Sequence, residues 1–265
     1  MRKEYSKIST YYLIAIMVIA AIFRFYKIDQ PFIDATSWRQ ADTATIADNF
    51  YKGNWNIFYP TISWNGPGDQ VVGYEFQTIS YLAALLYQVV GQHDWVCRSI
   101  AVAFGLWGIF AFYQLVCRVW DKKHAILSAT VLALLPGAIY VDRSFIPDAV
   151  MLSLVITSAW LLVAYLQTER LHYLLLASLL GIFGFLTKIS GLIVGIPTLY
   201  AIVAILSQKQ RLHSKQSVLI TGIGVLILIP VIAYYAWALY LSHTHPPITW
   251  LLANIGFGNM DYHIF

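Results

Sequence analysis

The chain has 265 residues, of which 59% are hydrophobic and 11% charged, and its formal charge is +4. A charged share below half the roughly 25% of soluble domains excludes an ordinary soluble enzyme, and the small positive balance gives no reason to expect nucleic acid as a partner. Apolar runs of about 18 residues or more recur, so the expected fold is all-α: a polytopic bundle of transmembrane helices.

In chain order, residues 8–27 form the first apolar run. It is too long for a signal-peptide core and lacks a small-x-small cleavage site, so it reads as an uncleaved first span. Behind it lies a polar segment, residues 29–97, holding six of the thirteen carboxylates between Asp29 and Glu75. Its run Ser37-Trp38-Arg39-Gln40-Ala41-Asp42-Thr43-Ala44-Thr45-Ile46-Ala47 leads into a helix expected over residues 40–52. Further apolar runs stand at 74–91, 98–120, 124–141, 148–167, 171–187, 189–207 and 217–241, followed by a tail over 242–265. Cys97 and Cys117 lie roughly 30 Å apart along one expected helix and cannot pair with each other.

The short, polar run 74–91 decides the topology. With a cytoplasmic N-terminus and 74–91 outside the membrane core, 10 Lys and Arg fall inside and 7 outside; if 74–91 crosses, the split is 6 inside and 11 outside. The positive-inside rule selects the first arrangement. It gives seven spans and an interfacial helix at 74–91, suited by Tyr74, Phe76, Tyr81 and Tyr87. Residues 29–97, 142–148, 187–189 and 242–265 then share the outer face.

Three polar constellations in these outer stretches can carry chemistry. Asp42 opens the expected helix, which fits a dipole-favoured cap equally well. Trp38, Arg39 and Asp34 beside it favour a site, since Trp and Arg hold sugar faces and phosphates. Asp142 to Asp148 forms a seven-residue polar turn with Pro147 at the first position of the next helix. There Asp148 and Arg143 either complement helix ends or face the 29–97 segment. Lys188, alone between two apolar runs, either snorkels to headgroups or neutralises a lipid phosphate. The Asn65-Gly66-Pro67-Gly68-Asp69 stretch is a turn without phosphate-loop spacing, and His243 and His245 lack the further ligands a metal site needs, so no metal site is assigned. Gly181, Gly184, Gly191 and Gly195 suit close helix packing.

In this order, these features resemble the membrane-embedded glycosyltransferases of the GT-C class, in particular the dolichyl-phosphate-mannose protein mannosyltransferase and aminoarabinose transferase-like family (glycosyltransferase family 39 type). The resemblance spans roughly residues 8–240. It rests on the acidic first loop from Asp34 to Asp42, the segment from Glu75 through Leu86, Arg98 at the head of the next span, Arg143 with Pro147-Asp148, and Leu186-Thr187-Lys188. Gln77-Thr78 stands where such proteins usually carry a proline-leucine pair.

The resemblance implies a single module over residues 1–265, in the plasma (inner) membrane with its site outside. It implies inverting transfer of a sugar from a polyprenyl-phosphate donor to an acceptor lipid, glycan or protein, with membrane lipids around it. Asp42 would be the general base, Asp34 its alternative, and Asp148 would orient acceptor or base. Arg39, Arg143 and Lys188 would hold the departing phosphate, with Trp38 and Glu75 as further substrate contacts. No organic cofactor is implied, and a divalent metal is left open. Ending at Phe265, ahead of the additional spans and outer domain usual in the family, the chain reads as a truncated copy, a fragment or a half requiring a partner. Two rivals remain: a flippase or transporter of a lipid or small solute, which would need mid-membrane charges or broken helices in repeated halves, and a catalytically inactive scaffold.

Overall fold

A computed structural model describes residues 2–53, 55–63, 70–194 and 214–245. Among them the chain is helical, apart from an isolated antiparallel pairing of Thr61 with Val71. The helices are α1 (Arg2–Phe25), α2 (Ser37–Lys52), α3 (Thr78–Val90), α4 (Asp94–Val119), α5 (Lys122–Leu134), α6 (Pro136–Arg143), α7 (Pro147–Thr168), α8 (Leu171–Thr187) and α9 (Ser214–Thr244), with a short 3-10 helix at Ile189–Val194.

The bundle is organised around α7, which packs on α8 on one side and α4 on the other. Small residues set these approaches. A Cβ on Gly184 of α8 would stand 2.6 Å from Val155 Cγ2, and one on Gly108 of α4 would meet Ser153 at 3.4 Å. Between helices of this apolarity, in lipid, close packing is the main source of association. The helix ends follow local rules: Pro147 occupies the first turn of α7, and Asp121 caps α5 by accepting from the backbone N–H groups of Lys123 and His124.

Among the described residues, three helical stretches are long and apolar enough to cross a membrane: Asp94–Val119, Pro147–Thr168 and Leu226–Thr244. A fourth candidate is the pair α5 and α6, bent by 63° at their junction. The span expected over 124–141 is thus two helices with a bend between them. Pro136 has no N–H and its ring excludes the carbonyl four residues back, so the helix breaks at Leu135 (φ −63°, ψ 117°). Ser9–Phe25 and Leu171–Thr187 are apolar but shorter. The span expected over 189–207 lies outside the described residues beyond Val194, as do the Asn65–Asp69 turn and most of the 242–265 tail.

Two further boundaries differ. The helix expected at 40–52 begins at Ser37, so Trp38 and Arg39 are helical and Asp42 sits in the second turn rather than capping the first. The polar turn expected over 142–148 shrinks to Ser144–Ile146, because Asp142 and Arg143 close α6 and Asp148 belongs to α7. In the 74–91 run the helix starts only at Thr78; Tyr74 to Gln77 form an extended strap leading into it.

Candidate active site

The face of α2 that carries Asp42 is locked onto α3 by apolar packing. Ala47 joins Ile79, Ala83 and Tyr87 in one cluster, and Ile46 and Phe50 join Ile62, Val72, Tyr74 and Ala84 in another. Burying side chains such as Ile46 and Phe50 stabilises by roughly 2 kcal/mol each. That packing fixes the polar residues one turn along the same helix.

The strap over residues 70–77 crosses this face. It is tied at its start by Ile62 N–H to Gln70 O (3.0 Å) and Val72 N–H to Pro60 O (2.9 Å). Its middle lies against α9, where Gly73 is obligatory: a Cβ there would stand 1.9 Å from the Ala238 carbonyl oxygen. The hydroxyl of Tyr234 in α9 donates to Tyr74 O at 3.1 Å, and Phe76 N–H donates to Leu186 O at 3.0 Å. The strap is thus held by the ends of α8 and α9.

Held in this way, the strap presents Glu75 to Arg39, whose Nη2 lies 2.7 Å from Oε2. The same guanidinium stacks over the Tyr74 ring, 5.0 Å from its centroid. Thr43 Oγ1 donates to Arg39 O, and the Ser80 hydroxyl lies within bonding distance of Thr43 O (3.0 Å) and Gln77 Oε1 (3.1 Å). Gln77 Nε2 donates to Glu75 O at 2.6 Å. Asp42, 5% exposed, lies beside this group and close enough to Arg39 and Tyr74 to act on both electrostatically. A small cleft opens here, lined by Arg39, Thr43 and Ile46 of α2, Tyr74 to Gln77 of the strap, Ile79 of α3 and Pro147 of α7.

The electrostatics follow from burial and charge. Burial would lower the pKa of Arg39, but Glu75 first, then Tyr74 and Asp42, outweigh it and hold it above its ordinary value. The Tyr74 hydroxyl is pushed up by burial and then by the Asp42 charge. Both groups therefore keep their protons at neutral pH. A cation flanked by two buried carboxylates therefore borders this small cleft.

Pro147, which lines the cleft, is followed in α7 by Asp148. Asp148 is paired with Lys188, whose Nζ lies 2.8 and 2.9 Å from the two carboxylate oxygens, each side chain about 30% exposed (29% and 32%). The residue before Lys188 reaches the strap's exit, with Thr187 Oγ1 2.6 Å from Thr78 Oγ1. Arg39, Asp42 and Glu75 thus form one group, with the Asp148–Lys188 pair adjoining it through Pro147 and Thr187.

Asp34, Arg143 and Trp38 are placed differently. Asp34 accepts from Arg98, both of whose terminal nitrogens lie 3.4 Å from Oδ2, from Gln40 Nε2, and from the Tyr140 hydroxyl at 3.4 Å. Arg98 also donates to three backbone carbonyls, those of Gln30 (3.1 Å), Pro31 (3.0 Å) and Arg143 (3.0 Å). The Arg143 side chain turns to Tyr26 O at the end of α1 rather than into the cleft, and Trp38 is half exposed. Sequence reasoning missed Tyr74, Ser80 and Tyr140, which occupy ordinary-looking positions in aromatic or apolar surroundings. Gln40 stood inside the quoted run and carried the available signal: its side chain bridges Asp34 and Phe145 N–H (3.0 Å).

The apolar helices are those of an integral membrane protein, with charged pairs gathered near the strap. The dolichyl-phosphate-mannose-protein mannosyltransferase family matches residues 78–237, more than half of the chain, and the chain belongs to this family of GT-C glycosyltransferases. The match takes in Arg98, Arg143, Asp148 and Lys188 and begins just after the strap. Among individual proteins, the chain is similar to one from Bacillus subtilis (strain 168) named "Putative mannosyltransferase YkcB", with 27% identity over 164 residues, 61% of this chain. It spans less than a quarter (22%) of that protein's length.

Proposed function

We propose that this chain carries the membrane module, residues 1–265, of a glycosyltransferase that moves a sugar, mannose by its family, from a polyprenyl-phosphate donor to an acceptor lipid, glycan or protein at the outer face of the plasma membrane. Family members use lipid-linked donors and membrane acceptors. In this reading the N-terminus is cytoplasmic, seven spans cross, and α3 lies at the outer interface, as the distribution of Lys and Arg supports.

The observation that carries the proposal is the Arg39–Glu75 pair lining the cleft, with Asp42 buried beside Arg39 and Tyr74, in a chain of this family. Asp42 removes the proton from the acceptor hydroxyl. The acceptor oxygen attacks the anomeric carbon from the side opposite the phosphate, the bond from carbon to phosphate oxygen breaks, and the configuration inverts. Charge grows on the departing lipid phosphate, and Arg39 at the cleft is the nearest cation to receive it. Lys188, released in part from Asp148, supplies a second, with Asp148 orienting the acceptor. Asp34, engaged with Arg98, is the alternative base; Arg143 is the weaker phosphate contact, since its side chain turns to Tyr26.

The test is transfer from polyprenyl-phosphate mannose in membranes containing the full chain. Asp42→Asn is expected to lower the rate about 100-fold or more, the usual contribution of a positioned base. Asp148→Asn is expected to cost less. If Asp42→Asn, Asp34→Asn and Asp148→Asn all transfer at the parent rate, the proposal fails. If Asp34→Asn alone abolishes transfer, the base is Asp34.

A further inference from the structure

Arg24 stands next to the last residue of α1 and is fully buried, 0% exposed, which rules out a cation snorkelling to headgroups. Its Nε and Nη2 each lie 2.8 Å from Asp142 Oδ2, on α6. Nη1 donates to Ala133 O at 2.9 Å, and Nη2 reaches Leu132 O at 3.4 Å. Those two carbonyls belong to the last turn of α5, where the break at Pro136 leaves no helical donors for them. One guanidinium therefore caps α5 and grips α6. Its planar set of donors suits this task, and a lysine ammonium would not span the same acceptors.

What α6 carries explains why the bend matters. Asp142 is wedged against α4 at Gly105, where a Cβ would stand 2.4 Å from Asp142 Cγ. Tyr140 meets Thr36 N–H (2.9 Å), Thr36 Oγ1 (2.8 Å) and Asp34. The Arg143 carbonyl receives Arg98, and the chain continues through Phe145 to Pro147 at the cleft. We infer that Arg24 is a positioning residue: its simultaneous hold on the end of α5 and on Asp142 sets the angle of α6, and with it the placement of the Asp34 network and of the Pro147–Asp148 corner of the cleft. This rests on the reading of the cleft as the transfer site, but the bend itself can be measured without it.

The experiment places spin labels on Leu127→Cys, an exposed position of α5, and Gly137→Cys, where a side chain meets open space, with Cys97 and Cys117 replaced by alanine. Arg24→Gln is expected to lengthen or broaden the distance between the labels as the bend relaxes. In membranes, kcat for release of polyprenyl phosphate from polyprenyl-phosphate mannose should fall about tenfold or more, as small displacements of reacting groups do, while donor KM moves less than about threefold. Arg24→Lys should recover neither. An unchanged distance distribution together with parent kcat, in an Arg24→Gln protein that only melts earlier, would overturn the inference. Should Arg24→Gln fail to insert, Arg24→Lys carries the same two outcomes. If the parent protein itself releases no polyprenyl phosphate, the functional reading falls while the distance measurement still decides the inference.

Discussion

Asp34 and Asp42 stand on one continuous stretch of chain, yet their surroundings are opposite in kind. Asp34 is the more open, its side chain 32% exposed, but it is enclosed by groups whose task is structural: Arg98, Gln40 and Tyr140. Asp42 is nearly buried, 5% exposed, beside Arg39 and Tyr74, which line the cleft. Exposure alone would favour Asp34 over Asp42, the proposed base. What separates them is how their neighbours are used: Arg98 is bound up in three backbone carbonyls, whereas Arg39 pairs with Glu75 at the wall of a cleft. One region is a lock on the loop, the other the proposed place for a ligand.

The sharpest way to break this comparison is to remove the lock. Arg98→Ala deletes the donor to Gln30 O, Pro31 O and Arg143 O and leaves Asp34 without its cation; each buried acceptor left without its partner costs about 1–3 kcal/mol. Unfolding of the detergent-solubilised chain should show a large loss of stability. A change below about 1 kcal/mol, within the range of exposed ion pairs, would mean that the Asp34 region is no lock at all.

A smaller effect is expected on the other side. Glu75→Gln keeps the shape and removes the charge opposite Arg39. A hydrogen bond between charged groups contributes about 1.5–3 kcal/mol, so a tenfold or greater fall in transfer is the expected result, with a smaller change in thermal stability. If stability and transfer fall together and by the same amount, Glu75 only fastens the strap and the comparison loses its functional half.

The sequence makes the long apolar helices legible because their composition admits nothing else: α4, α7 and the apolar part of α9 stand close to where the runs 98–120, 148–167 and 217–241 put them. Pro136 escaped notice inside an apolar stretch, although its missing N–H alone ends α5. The start of α2 was set by Thr36 and Tyr140, a contact between residues 104 apart in sequence, which no local rule reveals. The same holds for Arg24 and Asp142, 118 apart. Arg39, Asp42, Glu75, Asp148 and Lys188 were visible as rare ionisable groups in an apolar chain. Their pairing was not, because Glu75 meets Arg39 only once the strap is pinned between α8 and α9.

The smallest expected effect probes Asp42 from the side of its aromatic neighbour. Burial and then the Asp42 charge raise the Tyr74 hydroxyl above its ordinary value of 10, so the folded chain keeps this proton where the unfolded chain releases it. The sign follows from linkage: above pH 10 the unfolded state binds fewer protons, so the contribution is whole below about pH 10 and is lost as pH climbs toward the raised folded value. The slope from this one group is at most about 1.4 kcal/mol per pH unit. Tyr74→Phe should therefore melt within about 1 kcal/mol of the parent at neutral pH, since only one hydroxyl is lost, and should show a shallower fall above pH 10. Asp42→Asn, which leaves the burial but removes the charge, should flatten the same limb only in part. Melting curves of the three proteins from pH 7 to 11 separate these cases. If the Asp42→Asn limb coincides with the parent's, the carboxylate exerts no field on Tyr74, and the electrostatic distinction drawn between Asp42 and Asp34 fails at its simplest point.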